Sequence, residues 1–462
     1  MVGGEGGKNA RMSIAEDAIV FGLTGAFGSG CSTLAYALET KLQFARIKLS
    51  DLIMEAWREG AIARGETGGL DTPPRGALQD LGDEYRKAKG LSYWPQHAVS
   101  TLESKGEVVE RIVLDGIRNP GEVEWLRLRF KRFYLLAVDT HPDHRWQRLE
   151  GTPAWEGKTR ADFDNVSARD IEAPEDWGQR VQQCVDLADC VITNDEDDVP
   201  PKAQETLLAR ANDFLRLCGE PHRRPSDEEW FMHLAYSTAT GSACLKRNVG
   251  AVIVRPGPSR MVALDKQVER LASVVSVGFN ENPDWMQPCH IEYKACFRDI
   301  WRKETWEKKA YRVCPHCGAA IGSVKWPYRC PNRECPSFGS SLLESFFPER
   351  AMTKCTALHA EVRAILNSHG EDLAGCHLYA TTFPCFLCAE QILQAGLNHV
   401  VYVEPYPDRR SEQLLIRHGV SVKKFDGVKS NAFSKIFGPW RAEAERQASM
   451  RIVSWSASPN GR

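Results

Sequence analysis

His359, Glu361, Cys385 and Cys388 are the residues whose types and spacing point most directly to chemistry. One imidazole and two thiols are a borderline-soft donor set that suits a tetrahedral Zn²⁺ with its fourth position open to water. Zinc so placed lowers the pKa of that water towards neutrality and makes a nucleophile available. Glu361 follows His359 by two residues, close enough to serve the water without ligating the metal. A second set, Cys314-Pro-His-Cys317 and Cys330-Pro-Asn-Arg-Glu-Cys335, has the paired spacing of a closed structural Cys₄ zinc ribbon, with His316 as a competing donor. Metal binding there supplies folding energy to a segment with little core of its own. Cys289, His290 and Cys296 form a looser group, either a further metal site or ordinary core.

A third constellation lies near the start of the chain. Gly25-Ala-Phe-Gly28-Ser29-Gly30-Cys31-Ser32-Thr33 meets the pattern G-x-x-x-x-G-K-[ST] at Gly25, Gly30 and Ser32. Backbone N–H groups of such a loop, and the helix that follows, cradle phosphates. The departure is at the lysine that normally reaches the terminal phosphates, which is Cys31 here. Phosphate binding survives that loss on paper; phosphoryl transfer is placed in doubt. Asp115 ends the apolar run Ile112-Val-Leu, where a Mg²⁺-organising carboxylate belongs. Arg118, Arg145 and Arg148 are phosphate-contact candidates, with a solvated helix face as the plain alternative.

The elements that must position these residues can be read from periodicity. Asp17–Thr24, Phe133–Asp139 and Asp189–Asn194 are short apolar runs that read as buried strands, and helical patterns lie between them. Strands alternating with helices predict a mostly parallel α/β sheet over residues 17–218, preceded by a loose tail, residues 1–16. Residues 219–226 are rich in Pro, Gly and charge and read as a linker. Ser226 and Glu229 then open a helix with a capping box. Downstream come a basic turn holding Lys246, Arg247 and Asn248, a strand to Val254, a second strand ending in Gly278-Phe-Asn280, and the segment with the metal donors. The run His377-Leu-Tyr-Ala-Thr-Thr reads as a strand between two helix starts, one at His359 and one at Cys385 and Cys388. Helix N-termini favour thiolate over thiol. This second domain is expected over 227–427, interrupted by an insertion at about 283–351 that carries the ribbon at 314–335. Residues 428–462 read as a polar, Ser/Pro/Gly-rich extension.

Composition limits the alternatives. The chain has 462 residues, too many for one ordinary core. Apolar content of 42% and charged content of 26% are those of a globular protein. A formal net charge of -2 argues against a mainly electrostatic nucleic-acid binder. No apolar run approaches a membrane span, and the first residues lack an apolar signal core. The 15 cysteines, paired as C-x-x-C, point to metal in a reducing cytoplasm rather than to disulfides.

The H-x-E and P-C-x-x-C motifs form the pattern of zinc nucleobase deaminases. With Arg247 to Val254, Gly278 to Asn280, His359 to Glu361 and Thr381 to Gly396, the second half resembles the deoxycytidylate deaminase family. The resemblance implies a cytidine deaminase-like α/β/α fold and a catalytic zinc at His359, Cys385 and Cys388. It also implies that Glu361 carries protons between the attacking water, N3 of cytosine and the departing ammonia. In the same way Asn280, Arg247, Asn248, the Ala360 N–H and Tyr406 become substrate contacts. Residues 17–215, with Asp115-Gly-Ile-Arg118-Asn-Pro and Arg145-x-x-Arg148, resemble P-loop nucleotide kinases. Together the halves resemble bacterial anti-phage dCTP/dCMP deaminases. That resemblance implies an enzyme that depletes dCTP, is restrained by a nucleotide or small RNA at the first half, and forms a homo-oligomer such as a hexamer. Mg²⁺ would accompany a nucleotide at the loop. Two alternatives stand beside this reading: an RNA or single-stranded DNA deaminase, which log-linear salt dependence of binding would reveal, and a nucleotide kinase or sensor with an inert deaminase half.

Overall fold

A computed structural model describes residues 14–64, 73, 75–103, 108–171, 173, 175–195, 200–219, 223–257, 272–309, 313–321, 330–332, 334–335, 342, 355–405 and 409–438. The chain divides into two compact units, Met1–Arg216 and Leu217–Arg462. Both are mixed α/β.

In the first unit β1 (Ile14–Thr24), β2 (Ala45–Lys48), β3 (Val109–Asp115), β4 (Phe133–Asp139) and β5 (Cys190–Thr193) run in the order β5-β4-β1-β3-β2. Every pairing among them is parallel. Strands covered on both faces need unbroken apolar sequence. Val20, Phe21, Leu23, Ile112, Val113, Leu114 and Leu135 to Val138 are accordingly fully buried. Helices α1 (Cys31–Leu42), α2 (Leu49–Ala63), α3 (Arg75–Lys89), α4 (Tyr93–Glu103), α5 (Pro120–Arg129), α6 (Pro142–Leu149), α7 (Arg160–Ile171), α8 (Val181–Leu187) and α9 (Pro200–Gly219) link the strands. The parallel sheet expected from sequence is present, and β1 begins at Ile14, inside the segment read as a tail. β2 escaped the sequence reading because its four residues, Ala-Arg-Ile-Lys, are all only half-buried and show no apolar run.

The second unit holds α10 (Asp227–Ala239), β6 (Gly250–Arg255), β7 (Ser273–Phe279), α11 (Cys289–Glu292), α12 (Phe297–Lys309), α13 (Ala360–Leu366), β8 (His377–Thr382), α14 (Phe386–Gln394), β9 (His399–Glu404), α15 (Arg409–Arg417), β10 (Ser421–Lys424) and α16 (Ser430–Phe437). Its sheet order is β10-β9-β8-β6-β7, with β6 antiparallel to both β7 and β8, and β8, β9 and β10 mutually parallel. Ser226 and Glu229 form the expected capping box at α10. Buried Glu229 also pairs with Arg223 at 2.7 Å and accepts from the Val428 N–H at 3.0 Å.

Residues 430–437 correct the reading of a polar extension. They form α16, whose Ala432, Phe433, Ile436 and Phe437 are buried. Phe433 stacks on His233 of α10 with ring centroids 4.0 Å apart. Eight residues carry too few apolar positions to stand out beside their Ser and Lys neighbours; the partner face on α10 is what makes the helix. The tail up to residue 13 and residues 439–462 lie outside the described residues.

Two glycines let helices lie directly on this sheet. A Cβ at Gly278 of β7 would stand 2.3 Å from the Ala360 carbonyl and 2.4 Å from the Ala364 nitrogen of α13; one at Gly250 of β6 would stand 1.9 Å from the Ala235 carbonyl of α10. These neighbours are backbone and have no rotamer to retreat to. Gly278→Ala should therefore cost at least about 1–3 kcal/mol, since a tightly packed contact is being overfilled. A melting curve of the full chain should show a lower Tm, together with reduced zinc content as His359 is displaced. An unchanged Tm and metal load would show that α13 does not sit on Gly278.

Candidate metal centre and phosphate cleft

His359 and Cys385 are the N-cap residues of α13 and α14, and Cys388 lies in the first turn of α14. β8 separates the two helices in sequence and brings their starts together in space. His359 Nδ1 lies 3.2 Å from Cys388 Sγ and 3.3 Å from Cys385 Sγ, and the two sulfurs are 3.5 Å apart. A tetrahedral zinc with these donors needs ligand separations of roughly 3.6–3.8 Å, so the triangle fits after a few tenths of an ångström of expansion. The electrostatics fit as well. A hydrogen bond with Cys388, opposed by burial and aided by His359, holds the Cys385 thiol down to about 4. Cys388 is pushed well up by its hydrogen bond with Cys385 and by burial, so without a cation the pair keeps one proton between two sulfurs. A divalent cation is the natural replacement for that proton.

Glu361 is 4% exposed in the first turn of α13, and burial raises its carboxyl pKa above the ordinary range. Ala360 opens the same helix, so its N–H belongs to the set that helices leave without an internal partner. The other candidate contacts hold the surrounding loops. Asn280 accepts from the Val249 N–H at 2.7 Å and donates to the Arg247 carbonyl at 2.8 Å; Asn248 donates to the Ser242 carbonyl at 2.7 Å. Arg247 pairs with Glu404 at 3.3 Å, and Lys246 pairs with Asp299 of α12. Tyr406 lies outside the described residues. Arg298, beside Asp299, was not visible as a site residue in the sequence: it bears electrostatically on His359 although 61 residues separate the two (359 − 298). Only the folding back of α12 brings it there.

Cys314, Cys317, Cys330 and Cys335 bring four sulfurs within 4.8 Å of one another. Cys314 and Cys335 are 3.8 Å apart, Cys317 and Cys330 3.4 Å. The Ala319 N–H lowers the exposed Cys317 thiol to about 7, while burial raises Cys330 to about 12. Among the described residues this set and the His359 triad are the groups able to hold a metal; Cys289, His290 and Cys296 are not brought into one, and His316 is outside the four-sulfur set. All cysteines are free of disulfides.

In the first unit the glycine-rich turn joins β1 to α1 at the carboxyl edge of the sheet, bordering a cavity of about 670 Å³. Gly25, Gly28, Ser29, Gly30, Cys31, Ser32 and Thr33 line it, with Asp115 and Arg118. Gly30 has φ 109°, and a Cβ there would meet the Asn194 amide at 2.5 Å. The outside of the turn is tied down: Thr140 and Asn194 each donate to the Ser29 carbonyl at 2.8 Å, and Arg145 donates to the Phe27 carbonyl at 3.0 Å. With the carbonyls held outward, the N–H groups at the start of α1 face the cavity. Arg145 and Arg148 thus act on the turn through protein contacts, Arg148 donating to the Asn194 carbonyl. Arg118 is held by Asp170 at 3.2 Å. Burial, with the Asp115 charge second, pushes the Cys31 thiol up to about 12, so it contributes no charge.

The sequence profile of the cytidine and deoxycytidylate deaminase zinc-binding region matches residues 225–404. The deoxycytidylate deaminase of Schizosaccharomyces pombe is 25% identical over 330 residues, covering 70% of this chain and 80% of that protein. That of Saccharomyces cerevisiae is 28% identical over 208 residues, covering 44% of this chain and 46% of that protein, so the match spans about half of that relative. Among solved structures, a shikimate kinase from Bacteroides thetaiotaomicron is 16% identical and covers 43% of this chain and 98% of its own, with a TM-score of 0.25. Over residues 225–404 the second unit is thus similar to the zinc-binding region of cytidine and deoxycytidylate deaminases.

If both cysteine-bearing groups load, metal analysis of the purified full-length chain should return about two zinc ions per molecule. Cys330→Ser should remove one and lower Tm, because that metal closes a segment with little core; Cys388→Ser should remove the other. A zinc content unchanged by either substitution would disprove the assignment of that site.

Proposed function

We propose that the protein is a hydrolase that removes the 4-amino group of deoxycytidine nucleotides, dCMP or dCTP, giving the uracil nucleotides. The observation that carries this reading is the triangle of His359, Cys385 and Cys388 beside a buried carboxyl two residues from the histidine. The family match over 225–404 supports it, as does the likeness to deoxycytidylate deaminases from two yeasts.

His359, Cys385 and Cys388 would hold a zinc ion, which would supply a water acidified enough to act as the nucleophile at C4. Glu361 takes one proton from the attacking water and delivers it to N3 as the C4–O bond forms. It then takes the second from the C4 hydroxyl and delivers it to the exocyclic nitrogen, so that the C4–N4 bond breaks, the C4 carbonyl forms and ammonia leaves. Burial suits the carboxyl to that cycle, because it holds the proton more firmly than an exposed glutamate and so donates as well as accepts. The Ala360 N–H orients the pyrimidine carbonyl. Arg247 and Asn248 lie on the loop that Asn280 secures, and their candidate role is towards the phosphate.

The first unit binds a nucleotide or a small RNA with Mg²⁺ at the loop and restrains the deaminase. Depletion of dCTP during phage infection is the biological setting consistent with that pairing, in a homo-oligomer in the reducing cytoplasm that free thiols require.

Chromatography of reactions with dCMP, dCTP, CTP and deoxycytidine tests the chemistry. The deoxynucleotides should be converted, and Glu361→Ala should reduce turnover by about 10²–10⁴-fold while retaining zinc. Zinc-loaded wild type that converts none of the four, with or without extract of infected cells, would sink the reading. Ser32→Ala should change the response to nucleotide more than the deamination rate itself; equal loss of both would detach the loop from regulation.

A further inference from the structure

The cleft of the first unit lacks the loop cation that a phosphate site of this shape ordinarily uses, because position 31 is a neutral thiol. Yet the rest of the apparatus is in place. Asp115 is 3% exposed at the end of β3, hydrogen-bonds to Ser32, and has its second carboxylate oxygen buried in the cavity wall without a hydrogen-bond partner. A serine hydroxyl and an unsatisfied carboxylate at the head of a phosphate-facing helix call for a hydrated divalent cation. Burial accordingly raises the Asp115 pKa. A metal-bound phosphate chain would still carry surplus negative charge, and a cation must meet it.

Lys48 stands where that cation is needed. It closes β2, in parallel register with Asp115 on the adjacent strand, and its side chain lines the same cavity. The other described cations of the lining are occupied. Arg118 is held by Asp170, Arg86 by Glu122 at 2.8 Å, and Arg148 donates to the Asn194 carbonyl. Arg46, two residues before Lys48, pairs with Glu39 and does not line the cavity. Among the described residues the ion pair of Lys48 is with Asp51 at 3.8 Å, an aspartate two-thirds exposed, and such a contact is worth little in water.

Building on the reading of the loop as a nucleotide site, we propose that Lys48 replaces the missing loop lysine. Its ammonium, reaching in from the neighbouring strand, pairs with the distal phosphates of a magnesium-bound nucleoside triphosphate seated on residues 25–33. A flexible stem with a compact charge at its tip suits this task, since it neutralises phosphate oxygens without a fixed docking geometry. The cation then approaches from the sheet edge instead of from within the loop. That geometry binds the phosphate chain without holding a lysine along the path of the transferring phosphoryl group, which fits a sensor better than a kinase.

Isothermal titration of the full-length chain with MgATP, and with magnesium inorganic triphosphate, tests the assignment. Wild type should bind both, and Ser32→Ala should bind both more weakly. Lys48→Met should raise Kd by about tenfold or more for each probe, the worth of one charge-assisted contact. Adding Cys31→Lys to Lys48→Met should restore most of the affinity, which a purely structural role for Lys48 would not allow. Lys48→Met binding as wild type does, while Ser32→Ala is weakened, would overturn the role of Lys48 and leave the nucleotide site standing. Loss in Lys48→Met without rescue by Cys31→Lys would equally overturn it. Wild type that binds neither probe would overturn the nucleotide reading itself, and this inference with it.

Discussion

The metal centre depends on how closely one short helix can lie against one strand. Residues 360–366 rest on Gly278 at backbone distance, and the same glycine-for-contact exchange seats residues 227–239 on Gly250. With the first of these helices seated, its start, capped by His359, faces the start of the helix capped by Cys385. Three donors then converge within 3.5 Å on positions that carry helix N-terminal fields. The surroundings act in opposite directions on different groups: the hydrogen bond with Cys388, aided by His359, favours a thiolate at Cys385 against burial, while burial keeps the Glu361 carboxyl ready to hold a proton.

The donor sets of the second unit divide by exposure and closure. The His-Cys-Cys triad supplies three ligands and leaves a fourth position for water, the arrangement of a catalytic zinc; the four cysteines of residues 314–335 close all four positions, the arrangement of a structural one. Helix 297–309 connects the inserted segment to the site, because Lys246 pairs with Asp299 while Arg298 bears on His359. Through Arg298 the insertion therefore bears electrostatically on the metal-donor triad.

The first unit holds its glycine-rich turn in shape without a charged side chain at position 31. Its turn is anchored from outside by Thr140, Asn194 and Arg145, so the loop conformation owes nothing to a lysine at position 31. Cys31 fills that space as a neutral thiol, and Ser32 and Asp115 retain their mutual contact. Shape and charge are separable here because different residues provide them.

Sequence alone determined the candidate metal donors that the fold brings together, the glycine-rich turn and the alternation of strands and helices. Those signals are local: a C-x-x-C spacing, a glycine at the one position with φ 109°, and apolar runs such as Phe133–Asp139 depend on neighbours within a few residues. Tertiary structure alone decided that Asn280 spends both ends of its amide on the 247–249 backbone, that Arg298 bears electrostatically on His359, and that Lys48 borders the cavity beside the glycine-rich turn. It also decided that residues 430–437 form a buried helix, because their apolar face acquires meaning only against Trp230 and His233. In each case the deciding contact joins residues far apart in the chain, or packs a segment too short to show a period. Such pairings are set by sheet register and helix packing, which no local pattern records.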